Sequence, residues 1–390
     1  MKILHAISDL NPAGGGPQVI ALSLAAGQAG LGHEVTLATT LDEAGAKWLE
    51  GRRKAVPGLD RVKIQNVGIS GGKAAVLLGR ATSPELDKMI AAHEAVHLHS
   101  VWDPIVRVAG DSARRQGKPY FILLNGMLDP WSLSQSKWKK KLAMALGYRR
   151  LFNGAAALHL GNRDERELIA PLKLGCGSEI IPNGMFIEEV TPLPERGKFV
   201  AKHPQLAGRK FVLFLSRLHY KKGLDYLAGA FEVVARALPE VMLVVAGPEG
   251  GAEVDFKQRI ASAGLNDRVI LPGPIFGGAK FEALVDATCF CLPSRQEGFS
   301  MAITEALACG TPVVISENCH FPEVAEARAG AVVKLEAELV GRALIDVLDS
   351  DRLRAEQSAN AARLIRERYT WPKIAEMAVA MYRKHGKVAG

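Results

Sequence analysis

Short apolar runs alternate with longer helical patterns along nearly the whole chain, and no other feature limits the accessible folds as strongly. In the first half, β-branched or aliphatic runs with the length of strands occupy residues 3–7, 35–39, 62–67, 95–99, 120–124, 155–160 and 179–181. Helical patterns occupy residues 17–31, 104–115, 137–152 and 163–172. This β-then-α order predicts a parallel sheet with helices on both faces.

A polar, proline-rich stretch interrupts the alternation, which then begins again. Residues 182–194 contain three prolines and an Asn-Gly pair, and the polar sequence continues to Arg209, as expected of an interdomain connection. Strands are then predicted at residues 211–216, 241–246, 269–271, 289–292, 312–315 and 331–333, and helices at 224–237, 252–263, 280–286 and 301–309. Residues 336–384 are predicted to be helical, with a break at Trp371-Pro372. Two doubly wound domains are therefore expected, with a ligand crevice between them.

Composition narrows the class of protein. The first ten residues lack the long apolar stretch of a signal peptide, and no run of about 18 apolar residues predicts a spanning helix. The five cysteines form no CxxC pair, and Cys289 and Cys291 face one side of a predicted strand, so buried reduced thiols and a cytoplasmic location are expected. Aromatic residues make up 6% of the chain, and no nucleic-acid-binding motif is present, so no nucleic-acid partner is expected.

The net charge of +8 is concentrated in one basic segment. Lys137, Trp138, Lys139, Lys140 and Lys141 are consecutive, and Arg149 and Arg150 follow on the same predicted helix. A basic helix with a tryptophan is typical of a surface that rests on an anionic membrane. A solvated helix face is the equally open alternative.

Three clusters follow predicted strands, where open α/β sheets bind ligands. The first, at residues 11–17, combines Gly14, Gly15 and Gly16 with Pro17 at a helix start. Glycines allow the backbone to approach a ligand closely, and a helix N-terminus favours phosphate. Val19 stands where a dinucleotide fingerprint needs a third glycine, so NAD binding is disfavoured. A tight turn without a ligand is the remaining alternative.

The second and third clusters carry the charges. Arg217, Lys222 and Gly223 follow the strand at 211–216, and the two cations are suited to a diphosphate. After the strand at 289–292, Glu297 lies in a loop and Glu305 in the helix that follows. The N–H groups of residues 298–301 are expected to hold phosphate oxygens, because a helix begins there. Glu297 is suited to sugar hydroxyls and Glu305 to a ribose diol.

With these motifs the chain resembles the retaining family 4 (group 1) glycosyltransferases of GT-B fold, of the type found in bacterial surface-polysaccharide clusters. The resemblance includes the Arg…Lys-Gly loop and the Glu-x7-Glu pair from Glu297 to Glu305. It extends over the whole chain, through Gly14–Gly16, the segments at 31–35, 97–104 and 126–131, the Ile-Pro-Asn-Gly sequence at 181–184 and the last helix at 377–383. The implied fold is two Rossmann-like doubly wound domains facing across a cleft.

The resemblance also implies where each domain begins and what it binds. Residues 1–190 with 372–390 are expected to form an acceptor-binding domain with a returning helix, and residues 195–371 a nucleotide-sugar-binding domain. The catalytic residues implied are Arg217, Lys222 and Glu297. The donor is expected at Gly16, Arg217, Lys222, Pro274, Ile275, Glu297, Gly298, Phe299, Ser300, Met301 and Glu305, and the acceptor at Gly15, Trp102, Asp103, Asn125, Gly126, Met127 and Asp129.

The implied reaction moves a hexose-type sugar from a UDP- or GDP-sugar to a saccharide or lipid-linked saccharide, with retention of configuration, in polysaccharide biosynthesis. No cofactor and no metal are expected. Asp349-Ser350-Asp351 matches the DxD of metal-using transferases, but it lies between helical patterns, where a turn with a helix cap is favoured. A nucleotide-sugar epimerase of similar fold and a non-catalytic scaffold are the alternatives. Peripheral contact with the inner face of the plasma membrane is a further expectation.

One position departs from the family pattern. Asn125 precedes Gly126-Met127, where the subgroup usually has histidine, and asparagine cannot carry a proton charge. His97 and His99 lie on one face of a predicted strand. They are interpreted either as core histidines or as a substitute for the missing one.

Overall fold

The chain forms two compact units, each built on its own parallel sheet. The computed structural model describes residues 1–11 and 16–386. The first unit comprises Met1–Glu189 and Trp371–Gly390, and the second Val190–Thr370.

The first unit has, in its described residues, a seven-stranded parallel sheet in the order β3-β2-β1-β4-β5-β6-β7. Its strands are β1 (Lys2–Asp9), β2 (Glu34–Thr40), β3 (Lys63–Asn66), β4 (Ala95–His99), β5 (Tyr120–Leu123), β6 (Ala157–Leu160) and β7 (Gly177–Ile180). Its helices are α1 (Gly16–Gly30), α2 (Glu43–Ala55), α3 (Lys73–Leu77), α4 (Pro84–Ala92), α5 (Pro104–Arg115), α6 (Pro130–Ser134), α7 (Lys137–Ala143), α8 (Arg149–Asn153), α9 (Arg163–Ile169) and the returning α18 (Trp371–His385).

The returning helix α18 packs closely against α1, because α1 has a glycine, Gly27, at the contact. The apolar faces of α1 and α18 share one buried cluster with β1 and β2. At Gly27 a Cβ atom would lie 3.0 Å from the carbonyl oxygen of Trp371, so glycine permits the close approach. Burial of Trp371, Ile374 and Tyr382 then fixes the C-terminal helix to the N-terminal sheet.

The second unit repeats the architecture with a six-stranded parallel sheet, over the part of the chain that is described, in the order β10-β9-β8-β11-β12-β13. Its strands are β8 (Phe211–Leu215), β9 (Met242–Ala246), β10 (Val269–Gly273), β11 (Cys289–Leu292), β12 (Val313–Ser316) and β13 (Gly330–Val333). Its helices are α10 (Lys198–Lys202), α11 (Leu224–Ala237), α12 (Glu253–Ser262), α13 (Gly278–Asp286), α14 (Met301–Ala308), α15 (Glu323–Glu326), α16 (Ala337–Asp349) and α17 (Asp351–Arg368).

Two sequence expectations about helices need correction. The single helix predicted at 137–152 is divided into α7, a kinked segment over Met144–Tyr148 and α8, because Gly147 has a φ of 129°, outside the helical range. Helices α2, α3, α4, α6, α10 and α15 were not predicted because they are short or polar. The predicted break at Trp371-Pro372 is confirmed, because α17 ends at Arg368 and α18 begins at Trp371, with Pro372 in a first turn where proline is tolerated.

Two other expectations hold. Ser350 caps α17 through a hydrogen bond from the Leu353 N–H at 3.2 Å, so the Asp-Ser-Asp sequence is a capped turn. Cys289, Cys291, Cys309 and Cys319 are buried free thiols, and Cys176 is half-buried. Across residues 1–11 and 16–386, no helix combines the length and hydropathy needed to span a membrane.

Candidate active site

A cavity of about 310 Å³ lies at the carboxyl ends of the central strands of the second unit. The loops that line it follow β8, β9, β10 and β11, and parallel strands bring all these ends to one edge of the sheet. The lining residues are Leu215, Ser216, Arg217, Lys222, Gly247, Pro248, Ile275, Phe276, Lys280, Glu297, Phe299, Ser300, Met301, Ala302 and Glu305. The two charged clusters predicted from sequence therefore meet in one place.

Lys222 and Glu297 form an ion pair in the wall of this cavity. The Lys222 Nζ lies 2.7 Å and 2.9 Å from the two carboxylate oxygens of Glu297. The Ser294 hydroxyl donates a further hydrogen bond of 2.5 Å to the same carboxylate. The Glu297 side chain is 8% exposed and that of Lys222 22%, so this pair is better shielded from water than a surface salt bridge.

Gly223 explains how the two loops come so close. It has a φ of 70°, and a Cβ atom there would lie 1.9 Å from the carbonyl oxygen of Pro293. Only glycine fits a left-handed residue in direct contact with another backbone. The Lys-Gly pair of the motif thus has a steric reason: the glycine lets Lys222 reach the Glu297 loop.

Arg217 enters the cavity beside this pair. Its side chain is exposed, and a Cβ atom at position 250 would lie 3.0 Å from its Cγ, so Gly250 leaves room for the arginine stem. Ser300 precedes α14, and Met301 and Ala302, the first two residues of this helix, line the cavity with it. Two cations and a helix N-terminus are thereby gathered where a diphosphate is expected.

Lys280 is a lining residue that sequence reasoning missed. Its Nζ lies 2.6 Å from Glu305 Oε1, in a pair whose side chains are 22% and 14% exposed. The lysine comes from the first turn of α13 and the glutamate from α14. No local pattern signals this contact, because a lysine in the first turn of a helix normally reads as a solvated residue.

Not every predicted donor residue lines the cavity. Ile275 does, whereas Pro274 and Gly298 are absent from the wall although they belong to the same loops. Phe299 lines it and also packs on Phe321 and Tyr369, with ring centroids 5.6 Å and 6.2 Å away. Gly16 begins α1 in the first unit.

Arg295 ties the two charged loops together from outside the cavity. Its guanidinium forms a bidentate pair with Asp225 at 2.7 Å and 2.5 Å, and it lies 3.9 Å from the Tyr220 ring and 4.7 Å from the Tyr226 ring. Its backbone N–H donates to the Lys221 carbonyl at 2.7 Å. Burial alone would raise the pKa of Asp225, but the hydrogen bonds and charge of Arg295 hold it below its usual value.

We expect Arg295→Ala to lower turnover about 10-fold, because the loop that carries Lys222 loses its anchor while the cavity keeps every lining residue. Steady-state kinetics with separate kcat and KM values would measure this. Arg295→Lys is the matched control and should recover part of the loss, since it keeps the charge but not the bidentate geometry. Unchanged kinetics in Arg295→Ala would show that the anchor is dispensable.

Apart from Gly15, the predicted acceptor residues of the first unit follow β4 and β5. Trp102 donates a 3.3 Å hydrogen bond from Nε1 to the Met127 carbonyl, which joins these loops. The Gly126 N–H donates a 2.6 Å bond to Glu165, and burial raises the pKa of that carboxyl. Burial likewise raises the pKa of Asp103. Gly15 lies outside the described residues.

Two of the predicted acceptor residues, Asp129 and Asn125, have local structural roles. The Asp129 carboxylate accepts a hydrogen bond from the Ser132 N–H and caps α6, so its negative charge is already engaged. Asn125 has a φ of 51°, in the left-handed region that asparagine tolerates better than most residues. Its Nδ2 is buried and lacks a hydrogen-bond partner among the described residues.

His97 and His99 lie in the core of the first unit, fully buried, as the core interpretation expected. They join His5, His159, Gln28 and Tyr382 in a buried chain of hydrogen bonds. Its links are His99–His5 (2.8 Å), His5–Gln28 (2.7 Å), Gln28–Tyr382 (3.0 Å), Tyr382–His97 (2.6 Å), His97–His159 (3.3 Å) and His159 to the Ile181 carbonyl (2.7 Å).

With neutral histidine rings, only one assignment of donors and acceptors fits this chain of hydrogen bonds. The Ile181 oxygen and Gln28 Oε1 accept, so His159 and His5 carry their protons on Nε2 and accept on Nδ1. Burial lowers the pKa of both to about 4, and lowers those of His97 and His99 well below the usual value. Nitrogen atoms of His5, His97 and His99 lie within 4.8 Å of one another, a spacing that could hold a metal ion, but hydrogen bonds between neutral rings account for the arrangement.

Comparisons with known proteins match the sequences of both units. A sequence model described as "Glycosyl transferases group 1" matches residues 195–364, and one described as "Glycosyl transferase 4-like domain" matches residues 15–184. A phosphatidyl-myo-inositol mannosyltransferase of Mycobacterium leprae is 30% identical over 54% of each protein, so the match spans about half the length of that relative. A GDP-mannose:cellobiosyl-diphosphopolyprenol alpha-mannosyltransferase of Xanthomonas oryzae pv. oryzae is 25% identical over 96% of this chain and 94% of its own.

Among solved structures, HepE of Anabaena in complex with UDP has a TM-score of 0.75 and 19% identity, over 98% of this chain and 100% of the other. At that identity the likeness establishes the fold, and with the two parallel-sheet units it confirms the predicted GT-B class. The two sequence models together cover both units and include Arg217, Lys222, Glu297 and Glu305. The chain therefore belongs to the group 1 glycosyltransferases, with a family 4-type N-terminal domain.

Proposed function

We propose that this glycosyltransferase moves a hexose from a nucleotide diphosphate sugar to a saccharide or lipid-linked saccharide acceptor, with retention of configuration, in polysaccharide biosynthesis. The observation that carries the proposal is the second unit's cavity, in which Arg217, Lys222 and the start of α14 converge. Cleavage of the anomeric bond places charge on the diphosphate, and fixed cations with helix N–H groups stabilise that charge. Mannose and glucose are the favoured sugars, since relatives include a GDP-mannose-dependent enzyme and a structure with UDP-glucose.

In this scheme each carboxylate has its own task. Glu305, held by Lys280, binds the ribose hydroxyls. Glu297, held by Lys222 and Ser294, accepts hydrogen bonds from the donor sugar. With both its oxygens engaged, Glu297 is a poor nucleophile, so we propose attack of the acceptor on the face that the diphosphate leaves. A covalent glycosyl adduct trapped on Glu297 would refute this route.

The acceptor is proposed to bind in the first unit, at Gly15, Trp102, Asp103, Asn125, Gly126, Met127 and Asp129. Two relatives named above act, by their names, on a phosphatidylinositol and on a diphosphopolyprenol-linked sugar, which supports a lipid-linked acceptor. We further propose a cytoplasmic protein that makes peripheral contact with the inner face of the plasma membrane.

Thermal shifts with UDP-, GDP- and ADP-sugars test the donor proposal. A bound donor stabilises the folded protein by RT ln(1 + [L]/Kd), so the preferred donor should raise the melting temperature most. Glu305→Gln should reduce that shift, whereas Glu253→Gln on α12, outside the cavity wall, should not. If none of these sugars changed the melting temperature or was hydrolysed, the scaffold alternative would replace this proposal.

Product analysis with donor alone separates the transferase from the epimerase alternative. An epimerase converts the donor without an acceptor, while a transferase yields only slow hydrolysis. Both matched sequence models describe glycosyl transferases, so no finding favours an epimerase.

We expect the reaction to proceed without a divalent metal, because two cations and helix N–H groups are available for the leaving diphosphate. Transfer rates should therefore be the same after treatment with EDTA and after addition of Mg²⁺ or Mn²⁺. Loss of activity in EDTA that is restored by one of these ions would contradict the expectation.

A further inference from the structure

The segment from α6 to α8 in the first unit exposes apolar side chains in register. Trp138, Leu142 and Leu146 are 79%, 53% and 36% exposed and are spaced four residues apart. That spacing places consecutive members on one side of a helix. A single exposed hydrophobic residue is ordinary, but an aligned stripe of three marks an interaction surface.

Lysines flank this stripe on the outer side of α7. Lys137, Lys139 and Lys141 are exposed, and the Lys141 Nζ lies 5.1 Å from the Trp138 ring. Lys140 points inward, since its Nζ donates a 2.6 Å bond to the Ser132 carbonyl. The helix therefore separates one structural lysine from three that face solvent.

The cations of this surface have no acidic counterparts in the same segment. Residues 130–163 contain no Asp or Glu, whereas they include Lys137, Lys139, Lys140, Lys141, Arg149 and Arg150. A helix face that is only solvated usually mixes both signs of charge. The uniform sign favours a polyanionic partner over simple solvation.

A groove of about 940 Å³ continues the surface beyond the kink at Gly147. Arg114, Arg149 and Arg150 line it together with Leu146. Arg114 pairs with Asp111 at 3.7 Å, and Arg149 donates a hydrogen bond of 3.0 Å to the Leu172 carbonyl. Arg150 and the other N–H groups of Arg149 are suited to phosphate oxygens, and Leu146 lies beside them on the same surface.

We propose that this surface, formed by Trp138, Leu142, Leu146, the three outward lysines and the arginine groove, docks the protein on an anionic phospholipid bilayer. Tryptophan and leucine enter the boundary between headgroups and acyl chains, lysines attract the anionic lipids, and the arginines hold lipid phosphates. A nucleic acid would use the charges but gives no partner for Leu142 and Leu146. The proposal names the membrane contact of the proposed function, yet it does not require transfer activity.

The experiment measures binding of the full chain to vesicles by co-sedimentation, without any nucleotide sugar. Vesicles of phosphatidylcholine with about 30% phosphatidylglycerol should bind the protein, and pure phosphatidylcholine should bind it far less. The triple variant Lys137→Gln/Lys139→Gln/Lys141→Gln should bind the anionic vesicles roughly 100-fold more weakly. Trp138→Ser/Leu142→Ser should weaken binding about 10-fold.

Matched variants keep the test specific. Lys47→Gln/Arg53→Gln/Lys54→Gln removes the same charge from α2, and Val254→Ser removes an apolar side chain that is 70% exposed in the second unit. Both should bind vesicles as the unaltered protein does. Equal loss in the α2 triple variant, equal binding to neutral vesicles, or binding to a DNA oligonucleotide with none to vesicles would each overturn the proposal. Because donor hydrolysis is measured separately, failure here is distinguishable from failure of the proposed function.

Discussion

Lys222→Ala is expected to lower the transfer rate at least about 100-fold without unfolding the protein, because the leaving diphosphate loses a fixed positive charge. Arg217→Ala is expected to have an effect of the same size for the same reason. Rates under single-turnover conditions measure the loss, and a melting temperature near that of the unaltered protein shows that the fold survives. Lys221→Ala is the matched control, since this neighbouring lysine does not line the cavity.

The ion pair between Lys222 and Glu297 allows a sharper test of what Lys222 does. If the lysine acts on the diphosphate, Lys222→Ala should weaken binding of free UDP or GDP, while Glu297→Gln should leave it unchanged or strengthen it. If the lysine serves only to hold Glu297, the two variants should bind nucleotide alike. Rates close to those of the unaltered enzyme in Lys222→Ala or Arg217→Ala would reject the assigned role.

Acid is expected to destabilise the protein through the buried histidines of the first unit. The pKa of His5 and of His159 is about 4 in the folded state and 6.5 when unfolded, so the unfolded state binds more protons between these values. Stability is therefore fully present above pH 6.5 and falls as the pH drops towards 4. For His5 alone a shift of this size corresponds to about 3 kcal/mol below pH 4.

Urea unfolding of the first unit at pH values from 8 to 4.5 would measure this loss. His159→Gln should flatten the dependence, because its amide can still donate to the Ile181 carbonyl but cannot be protonated. His320→Gln is the control, since this residue lies outside the buried chain of histidines. An unfolding free energy that stays constant from pH 8 to 4.5 would contradict the prediction.

Local patterns were sufficient for the fold and for the location of the candidate site. The alternation of apolar runs and helical patterns predicted both sheets, because the spacing of apolar residues within a short segment distinguishes a strand from a helix. The clusters at Arg217 and Glu297 were expected at carboxyl ends of parallel strands, and β8 and β11 end just before them. The helix predicted at 137–152 is interrupted at Gly147, because the spacing of apolar residues does not reveal the backbone conformation of a single glycine.

The sequence by itself determined that this chain has two parallel α/β sheets and which loops carry its charges, since those features depend on neighbours along the chain, and the resemblance of its motifs to a known family indicated a glycosyltransferase. Only the tertiary structure decided which side chains meet. The hydrogen-bonded pairs Lys280–Glu305, Arg295–Asp225 and His5–His99 are separated by 25, 70 and 94 positions in the sequence. Such contacts follow from how strands are ordered in the sheets and how helices pack on them, and no spacing within one segment encodes that order.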